Sequence, residues 1–250
     1  MEFLNINKEG GIATVTLQRG KVNPLNEELV DQLQQAFENL KSDEEIKVIV
    51  LTGNEKFFSF GFDIPGFMDH SKEEFRTYLS KFTKFYTYLF LYPKPVIAAI
   101  NGHAIAGGCM IASACDHKIM AQGKAKISLN EITFGSTVFA GSVEMLKFAV
   151  GTKYAEEILY TGKMYTAEEA YKINLVDEII TEEYFEEHVK SIAAEFLKKD
   201  SAAFYNIKKL LRKPVYEEMI EREEESIDEF IEIWCSPGTR DKLKEIKIHS

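Results

Sequence analysis

The sequence contains few cysteines and no long apolar run. Its 250 residues include three cysteines, Cys109, Cys115 and Cys235, an odd number without the spacing of metal ligands. This pattern argues against a disulfide framework or a zinc site and favours a reducing compartment. No segment approaches the roughly 18 consecutive apolar residues of a membrane helix, and the N-terminal MEFLNINKEGG lacks the apolar core of a signal peptide. The sequence therefore predicts free thiols, no metal, no membrane partner and a cytoplasmic location.

The chain also has fewer basic than acidic residues. The formal net charge is -10, which argues against nucleic acid or an anionic membrane as a partner, because either would be repelled over most of the surface. The hydrophobic fraction of 45% is that of an ordinary globular protein. A chain of 250 residues suffices for one large domain, or for a core with a smaller appendage.

The apolar periodicity predicts strands and helices in alternation over the first half of the chain. Strands have alternating or fully apolar residues, and helices have apolar residues at steps of three and four. The predicted elements are strands at residues 3–7, 12–17, 48–51 and 96–100, and helices that follow Asn26 and extend over residues 73–92. This order implies parallel strands joined by crossovers, with a turn suited to ligand binding at the carboxyl end of each strand.

Two such turns have unusual composition. Residues 57–67, FFSFGFDIPGF, form an aromatic-rich loop around Gly61, and residues 106–109, AGGC, precede an apolar helix. Backbone N–H groups at a glycine turn before a helix suit a ligand that develops negative charge on oxygen. The alternatives are a tight turn that serves only packing, and a buried loop anchored by its phenylalanines.

One carboxylate lies in a setting that perturbs its acidity. A short strand predicted at residues 126–129 leads to Glu131, between Leu129, Ile132 and Phe134. Desolvation among these side chains should raise the pKa of the carboxyl, which makes Glu131 a candidate proton carrier. The alternative is a solvated surface group or a helix cap.

The C-terminal third has a helical pattern with many charged residues. A boundary is predicted near residues 195–200, with a helix beginning at Ser201. The cations at positions 208, 209, 212 and 213 are typical of a solvated helix face, although their charge also suits a phosphate. Phe230, Ile233 and Trp234 are apolar residues on this charged helix, and a subunit contact would explain them.

Four motifs in this order carry a resemblance to a known family. They are FFSFGFDIPGF, PVIAAINGHAIAGGCM, ISLNEITFG and TGKMYTAEEAYKINLVDEII. Together they resemble the crotonase, or enoyl-CoA hydratase/isomerase, superfamily over nearly the whole chain. The resemblance implies an α/β fold in which residues 1–197 form a spiral core of ββα units with two β-sheets. It also implies a helical trimerisation region at residues 198–250, and a homotrimer or a dimer of trimers.

The same resemblance implies acyl-CoA thioester substrates, no further cofactor, and a set of site residues. In that family two backbone N–H groups hold the thioester oxygen, and they correspond here to those of Phe62 and Gly107. The other residues that it suggests for contact with the acyl group or CoA are Lys21, Val22, Asn23, Leu25, Phe60, Gly61, Asp63, Ile64, Gly108, Met110 and Phe139. Basic residues of a neighbouring subunit often complete the nucleotide site, and the candidates here are Lys208, Lys209 and Arg212.

The resemblance also discriminates between reactions. The hydratases carry one glutamate directly after the G-G-C turn, where this chain has Met110, and a second at the position of Glu131. The missing acid argues against hydration, because a water must be held by one carboxylate while another group exchanges a proton. Dienoyl-CoA isomerases carry an aspartate eight positions after the glutamate, where this chain has Phe139. The segment ISLNE resembles Δ3,Δ2-enoyl-CoA isomerases, in which this glutamate is the sole acid–base residue.

The predicted function is therefore isomerisation of 3-enoyl-CoA to 2-enoyl-CoA through a thioester dienolate, with Glu131 as acid and base. One alternative is another crotonase-type reaction, namely hydration, thioester hydrolysis or decarboxylation. A second alternative is a non-catalytic protein that binds CoA. Glu144 is a candidate second acid if the helix after Gly141 turns it inward.

Overall fold

Nine strands form two β-sheets in the computed structural model, which describes residues 1–246. The strands are β1 (Leu4–Glu9), β2 (Ile12–Leu17), β3 (Val48–Thr52), β4 (Phe57–Ser59), β5 (Val96–Ile100), β6 (His103–Ile105), β7 (His117–Ala121), β8 (Ile127–Ser128) and β9 (Glu178–Ile180). The larger sheet has the order β1-β2-β3-β5-β7-β9, and the smaller has the order β4-β6-β8. Only β1 and β2 pair antiparallel within this part of the chain, and the other neighbours are parallel.

Helices connect the strands and cover the sheets. They are α1 (Glu27–Ser42), α2 (Ile64–Phe67), α3 (Lys72–Phe90), α4 (Gly107–Ala114), α5 (Ala140–Thr161), α6 (Ala167–Lys172), α7 (Phe185–Leu197), α8 (Ser201–Trp234) and α9 (Pro237–Lys244), with short 3-10 helices at Glu131–Phe134 and Glu182–Tyr184. Asn26 caps α1 as predicted, because its side chain accepts a hydrogen bond from the N–H of Leu29. A capping box of Ser71 and Glu74 begins α3.

The chain repeats one unit three times. A strand of the larger sheet is followed by a strand of the smaller sheet and then by one or more helices, in the pairs β3 and β4, β5 and β6, and β7 and β8. The predicted α/β architecture of ββα units with two sheets is therefore confirmed. Because every pair leaves the larger sheet at the same end, the loops after the smaller strands lie side by side.

The long helix α8 packs on the spiral instead of standing apart from it. Met219, Ile227 and Trp234 are buried in the same apolar core as the strands β2, β3 and β5. The predicted division after residue 197 falls between the end of α7 and the start of α8. That division into two regions stays a prediction.

Two cations of α8 have a role that the sequence analysis did not assign. The Nζ atom of Lys208 lies 2.9 Å from Oδ2 of Asp116, and an Nη atom of Arg212 lies 3.3 Å from Oδ1 of Asp116. Arg212 also donates to three backbone carbonyls, and both cations are buried. The proposed contact of Lys208 and Arg212 with a CoA nucleotide is therefore wrong. Lys209 is exposed, and its contact with the nucleotide stays a prediction.

None of the helices within residues 1–246 combines the length and the apolar character that crossing a membrane requires. The cysteines are free, with Cys109 and Cys115 buried in the core and Cys235 half-buried.

Candidate active site

A cavity of about 330 Å³ lies where the loops after β4, β6 and β8 meet the C-terminal helices. Its wall is almost entirely apolar. The lining residues are Phe60, Phe62, Ile64, Ile105, Ala106, Gly107, Asn130, Glu131, Thr133, Phe134, Met164, Phe230, Trp234 and Ile246. The cavity falls within the usual range for small-molecule sites, and within the described chain Glu131 is its one titratable lining residue.

Glu131 lies at this cavity shortly after the end of strand β8. It follows β8 and begins the 3-10 helix Glu131–Phe134, which ends at Gly135 in the left-handed region, with φ of 78°. The side chain is 4% exposed, and its Oε2 atom has no hydrogen-bond partner among residues 1–246. Burial raises the pKa of Glu131 to about 8, although a hydrogen bond from its own backbone N–H acts in the opposite direction. An uncompensated carboxyl with such a pKa is suited to exchange protons near neutral pH.

Two loops touch each other beside this carboxyl. Gly61 has φ of 88°, and a Cβ atom there would lie 2.9 Å from the carbonyl oxygen of Ile105 and 3.3 Å from the backbone nitrogen of Gly107. Glycine is therefore required at position 61, both for its conformation and for the close approach. The predicted proximity of the two turns is confirmed.

One backbone N–H group in each of these loops is left without a partner among residues 1–246. The amides of Phe62 and Gly107 donate no hydrogen bond within residues 1–246, and both residues line the cavity. Ala106 precedes α4 with φ of 50°, so that α4 begins at Gly107 with its first N–H groups unpaired. Such amides are ready donors for an anionic oxygen.

The structure brings some of the predicted site residues together. Five of them line this cavity, namely Glu131, Phe62, Gly107, Phe60 and Ile64. The predicted residues that do not line it are Lys21, Val22, Asn23, Leu25, Gly61, Asp63, Gly108, Met110 and Phe139. Their proposed contact with CoA or with the acyl group stays a prediction.

Several of those residues instead hold the loops in place. Asn23 is fully buried, with its side-chain amide donating to the carbonyls of Phe57 and Phe58. Asp63 accepts from Arg19 at 2.7 Å and caps α2. Met110 and Phe139 are buried in the apolar core, and Phe139 stacks on the cavity-lining Phe230 at 4.5 Å between ring centroids.

Two further buried acids lie outside the cavity and are already paired. Glu144 is held by the Nζ atom of Lys147 at 2.9 Å and by Arg222 at 2.8 Å. The side chain of Glu223 accepts from the hydroxyl of Tyr86 and from the backbone N–H of Gly141. The proposal that Glu144 turns into the site as a second acid is therefore wrong.

The C-terminal helix α8 contributes to the cavity in a way that the sequence does not predict. Phe230 and Trp234 fit a subunit contact by sequence, but both are buried and line the cavity, while Ile233 between them is exposed. The signal was their spacing of four residues, which places them on one face of α8 together with the buried Ile227 and Ile231. The spacing indicates a buried face of α8, and the structure shows that this face packs on the same chain.

The helix α9 leads to one side of the cavity. The hydroxyl of Thr239 donates to the carbonyl of Gly135, directly after the 3-10 helix that carries Glu131, and Arg240 donates to the carbonyl of Met68. Ile246, beyond α9, lines the cavity. These two hydrogen bonds connect α9 to the segment after the 3-10 helix and to the segment after α2.

Comparison with known proteins gives the family. The family model described as enoyl-CoA hydratase/isomerase matches residues 7–236. The crotonyl-CoA hydratase of Syntrophomonas wolfei is 32% identical over 204 residues, which cover 81% of this chain and 78% of that protein. The mitochondrial enoyl-CoA delta isomerase 1 of Rattus norvegicus is 29% identical over 229 residues, which cover 90% of this chain and 79% of that protein.

A solved structure shares the fold. The human mitochondrial delta3-delta2-enoyl-CoA isomerase superimposes with a TM-score of 0.93 over 97% of this chain and 95% of that one, at 23% identity. The two-sheet spiral with its helical C-terminal region is therefore the crotonase fold. From the match over most of its length and the identity to the hydratase, the chain belongs to the enoyl-CoA hydratase/isomerase family.

Proposed function

We propose that this protein converts 3-enoyl-CoA to 2-enoyl-CoA, with Glu131 as the sole acid and base. The observation that carries the proposal is the single carboxyl in an apolar cavity, since no other titratable side chain of the described chain lines it. Moving a double bond needs one group that removes a proton and returns it, and needs no water.

The proposed chemistry uses three groups, namely the carboxyl of Glu131 and the backbone N–H groups of Phe62 and Gly107. The carboxylate of Glu131 removes a proton from C2 of the 3-enoyl thioester, and the electron pair of that C–H bond moves into the thioester, which becomes a dienolate. The N–H groups of Phe62 and Gly107 stabilise the negative oxygen. The carboxyl then gives the proton to C4, the thioester carbonyl re-forms, and the double bond lies between C2 and C3.

The raised pKa of Glu131 has a consequence for the rate. With a pKa of about 8, the carboxyl of the empty site is mostly protonated at neutral pH and is ionised above that value. Because only the ionised form removes a proton, kcat/KM should rise with pH, with its midpoint near pH 8, and level off at higher pH. A carboxyl with this pKa is also a stronger base than one in water.

Hydration of a 2-enoyl-CoA is the second candidate, because a relative that is 32% identical is named a hydratase. Against it stands Met110, which is buried at the position of the family's other acid, together with the ion pairs of Glu144. Thioester hydrolysis, decarboxylation and binding of CoA without catalysis have no such observation in their favour.

The test uses purified protein and 3-hexenoyl-CoA. Absorbance of the conjugated thioester should increase, and mass spectrometry should find a product of unchanged mass. Glu131→Gln should lower the rate roughly 10²- to 10⁴-fold, whereas Glu156→Gln, at an exposed position of α5, should leave it unchanged. A product that has gained one water would favour hydration, and a rate independent of Glu131 would contradict the proposal.

We also propose that the protein associates with itself through α8. Three exposed apolar residues lie within five positions on the N-terminal half of that helix, namely Ile207 at 58%, Leu210 at 78% and Leu211 at 61%. Exposed apolar side chains in such a cluster are typical of an interface. A homotrimer, or a dimer of trimers, is the state that we expect.

A further inference from the structure

The carboxyl of Glu131 takes its position from its backbone and not from a side-chain partner. Its Oε2 atom has no hydrogen-bond partner among residues 1–246, and within that part of the chain only its own backbone N–H donates to the carboxyl. Reacting groups are held in a productive geometry by packing and by hydrogen bonds from the groups behind them. The position of this carboxyl therefore depends on what holds the 3-10 helix Glu131–Phe134 and the residues that end it.

The loop after α5 packs against this turn. A Cβ atom at Gly162 would lie 2.7 Å from Cγ2 of Thr133 and 3.0 Å from Cγ2 of Ile132, so the two segments are in close contact. The hydroxyl of Ser128 also donates to the carbonyl of Lys163 at 2.8 Å. These contacts hold the start of the turn, and its end is held from α9.

A chain of hydrogen bonds leads from the start of α9 to the backbone of Glu131. The hydroxyl of Ser236 donates to Oγ1 of Thr239 at 3.2 Å, and the hydroxyl of Thr239 donates to the carbonyl of Gly135 at 2.6 Å. That carbonyl belongs to the same peptide group as the N–H of Ser136, which donates to the carbonyl of Glu131 at 3.0 Å. Because a peptide group is planar, the bond from Thr239 fixes the direction in which the N–H of Ser136 points.

The peptide group between Gly135 and Ser136 needs such a bond. Gly135 has φ of 78°, and glycine occupies that region and others with little steric restriction, so the chain can rotate here more easily than elsewhere in the turn. Thr239 is 4% exposed, and removal of its hydroxyl would leave the carbonyl of Gly135 without this donor. The hydroxyl thus restrains the most adaptable point of the turn.

We propose that Thr239 is a positioning residue for Glu131. Its hydroxyl holds the peptide group between Gly135 and Ser136, and through that group it holds the backbone from which the carboxyl reaches the cavity. Thr239 itself does not line the cavity, so it acts on the reaction only through the turn. The inference rests on the proposed isomerisation, in which one carboxyl must reach both C2 and C4 of the bound thioester.

Kinetics with 3-hexenoyl-CoA test this inference. Thr239→Val keeps the branched shape of the side chain but removes the donor. Because the cavity wall is unaltered while the carboxyl is displaced, it should lower kcat roughly 10- to 100-fold and change KM less than about threefold. Thr239→Ser keeps the hydroxyl and should retain kcat within about threefold. Arg240→Met is the matched control, since it removes the hydrogen bond of α9 to the carbonyl of Met68 and leaves that of Thr239 in place. It should also retain kcat within about threefold.

A second measurement does not depend on turnover. Burial is the cause that raises the pKa of Glu131 to about 8, so a carboxyl that moves toward water has a lower pKa. In protein labelled with 13C at the glutamate carboxyls, the NMR signal that is absent from Glu131→Gln reports this pKa. The pKa of Glu131 should be lower in Thr239→Val than in the wild type, and it should be unchanged in Thr239→Ser and Arg240→Met.

Three results would overturn the inference. They are a kcat and a pKa of Glu131 in Thr239→Val that equal those of the wild type, a loss of kcat in Arg240→Met as large as that in Thr239→Val, and a Thr239→Ser variant that behaves like Thr239→Val. Should Thr239→Val not fold, Thr239→Ala also lacks the hydroxyl and takes its place. Wild-type protein that does not convert 3-hexenoyl-CoA would contradict the proposed reaction alone, because the NMR comparison still tests the position of Glu131.

Discussion

Neutralising Glu131 should stabilise the protein at alkaline pH while it removes activity. The pKa of this carboxyl is raised by burial from 4.5 to about 8. Between these two values the unfolded chain has released the proton and the folded chain retains it, so a rise in pH favours the unfolded state. The wild-type protein should therefore lose stability from about pH 4.5 to pH 8 through this group and lose no more above that range. Glu131→Gln has no proton to release and escapes this loss.

The magnitude follows from the two pKa values. One pKa unit corresponds to about 1.4 kcal/mol, so the change from 4.5 to about 8 makes ionised Glu131 roughly 5 kcal/mol less favourable in the folded state. At pH 5 only a small part of this cost is present, and at pH 9 all of it is. The free energy of unfolding of Glu131→Gln relative to wild type should accordingly increase by roughly 3 to 5 kcal/mol between these conditions.

Urea denaturation at about pH 5, 7 and 9 measures this difference. The exposed Glu156→Gln is the matched control, since it removes the same charge from the surface, and it should follow the wild-type curve within about 0.5 kcal/mol. Titration of all other groups cancels when variants are compared at one pH. If the free energies of unfolding of wild type and Glu131→Gln change with pH in parallel, the claim that burial holds this carboxyl in its neutral form is refuted.

Three other substitutions test the loops, the core and the assembly. Gly61→Ala would place a Cβ atom 2.9 Å from the carbonyl of Ile105 and displace the amide of Phe62, so kcat for 3-enoyl-CoA should fall roughly 10²- to 10³-fold; an unchanged kcat would count against the two amides. Asp116→Ala leaves the cations of Lys208 and Arg212 buried without their carboxylate. It should lower the free energy of unfolding, measured by urea denaturation, by roughly 3 to 5 kcal/mol. A loss of that free energy below about 1 kcal/mol would contradict this. Leu210→Glu, at a 78% exposed site, should shift sedimentation toward the 28.5 kDa chain, and an unaltered assembly would exclude that face of α8.

The features that depend on neighbours in sequence were predictable. Local sequence patterns predict the hairpin of β1 and β2, the cap at Asn26 and the buried strand β5, and the structure contains all three. The burial of Glu131 also followed from its neighbours, although Leu129 is buried while Ile132 is largely exposed. Local pattern indicates which face of an element is apolar, and that suffices where the partner is the adjacent sheet.

The contacts of α8 depend on distant parts of the chain and were not predictable in the same way. Lys208 binds Asp116, 92 positions earlier, so that a row of cations typical of a solvated face becomes a buried anchor. Phe230 and Trp234 cover the cavity of their own chain, where a contact with another subunit fitted the sequence equally well. An amphipathic pattern indicates that a face is buried but does not name its partner.

Transfer of hydrogen within the substrate is the most direct measurement of the proposed role of Glu131. A 3-enoyl-CoA with deuterium at both C2 positions is converted in ordinary water, and mass spectrometry or NMR locates deuterium in the 2-enoyl product. Because Glu131 is 4% exposed in a largely apolar cavity, part of the deuterium taken from C2 should appear at C4. A 2-enoyl product with only protium at C4, or a 3-hydroxyacyl product, would contradict transfer by a single buried carboxyl.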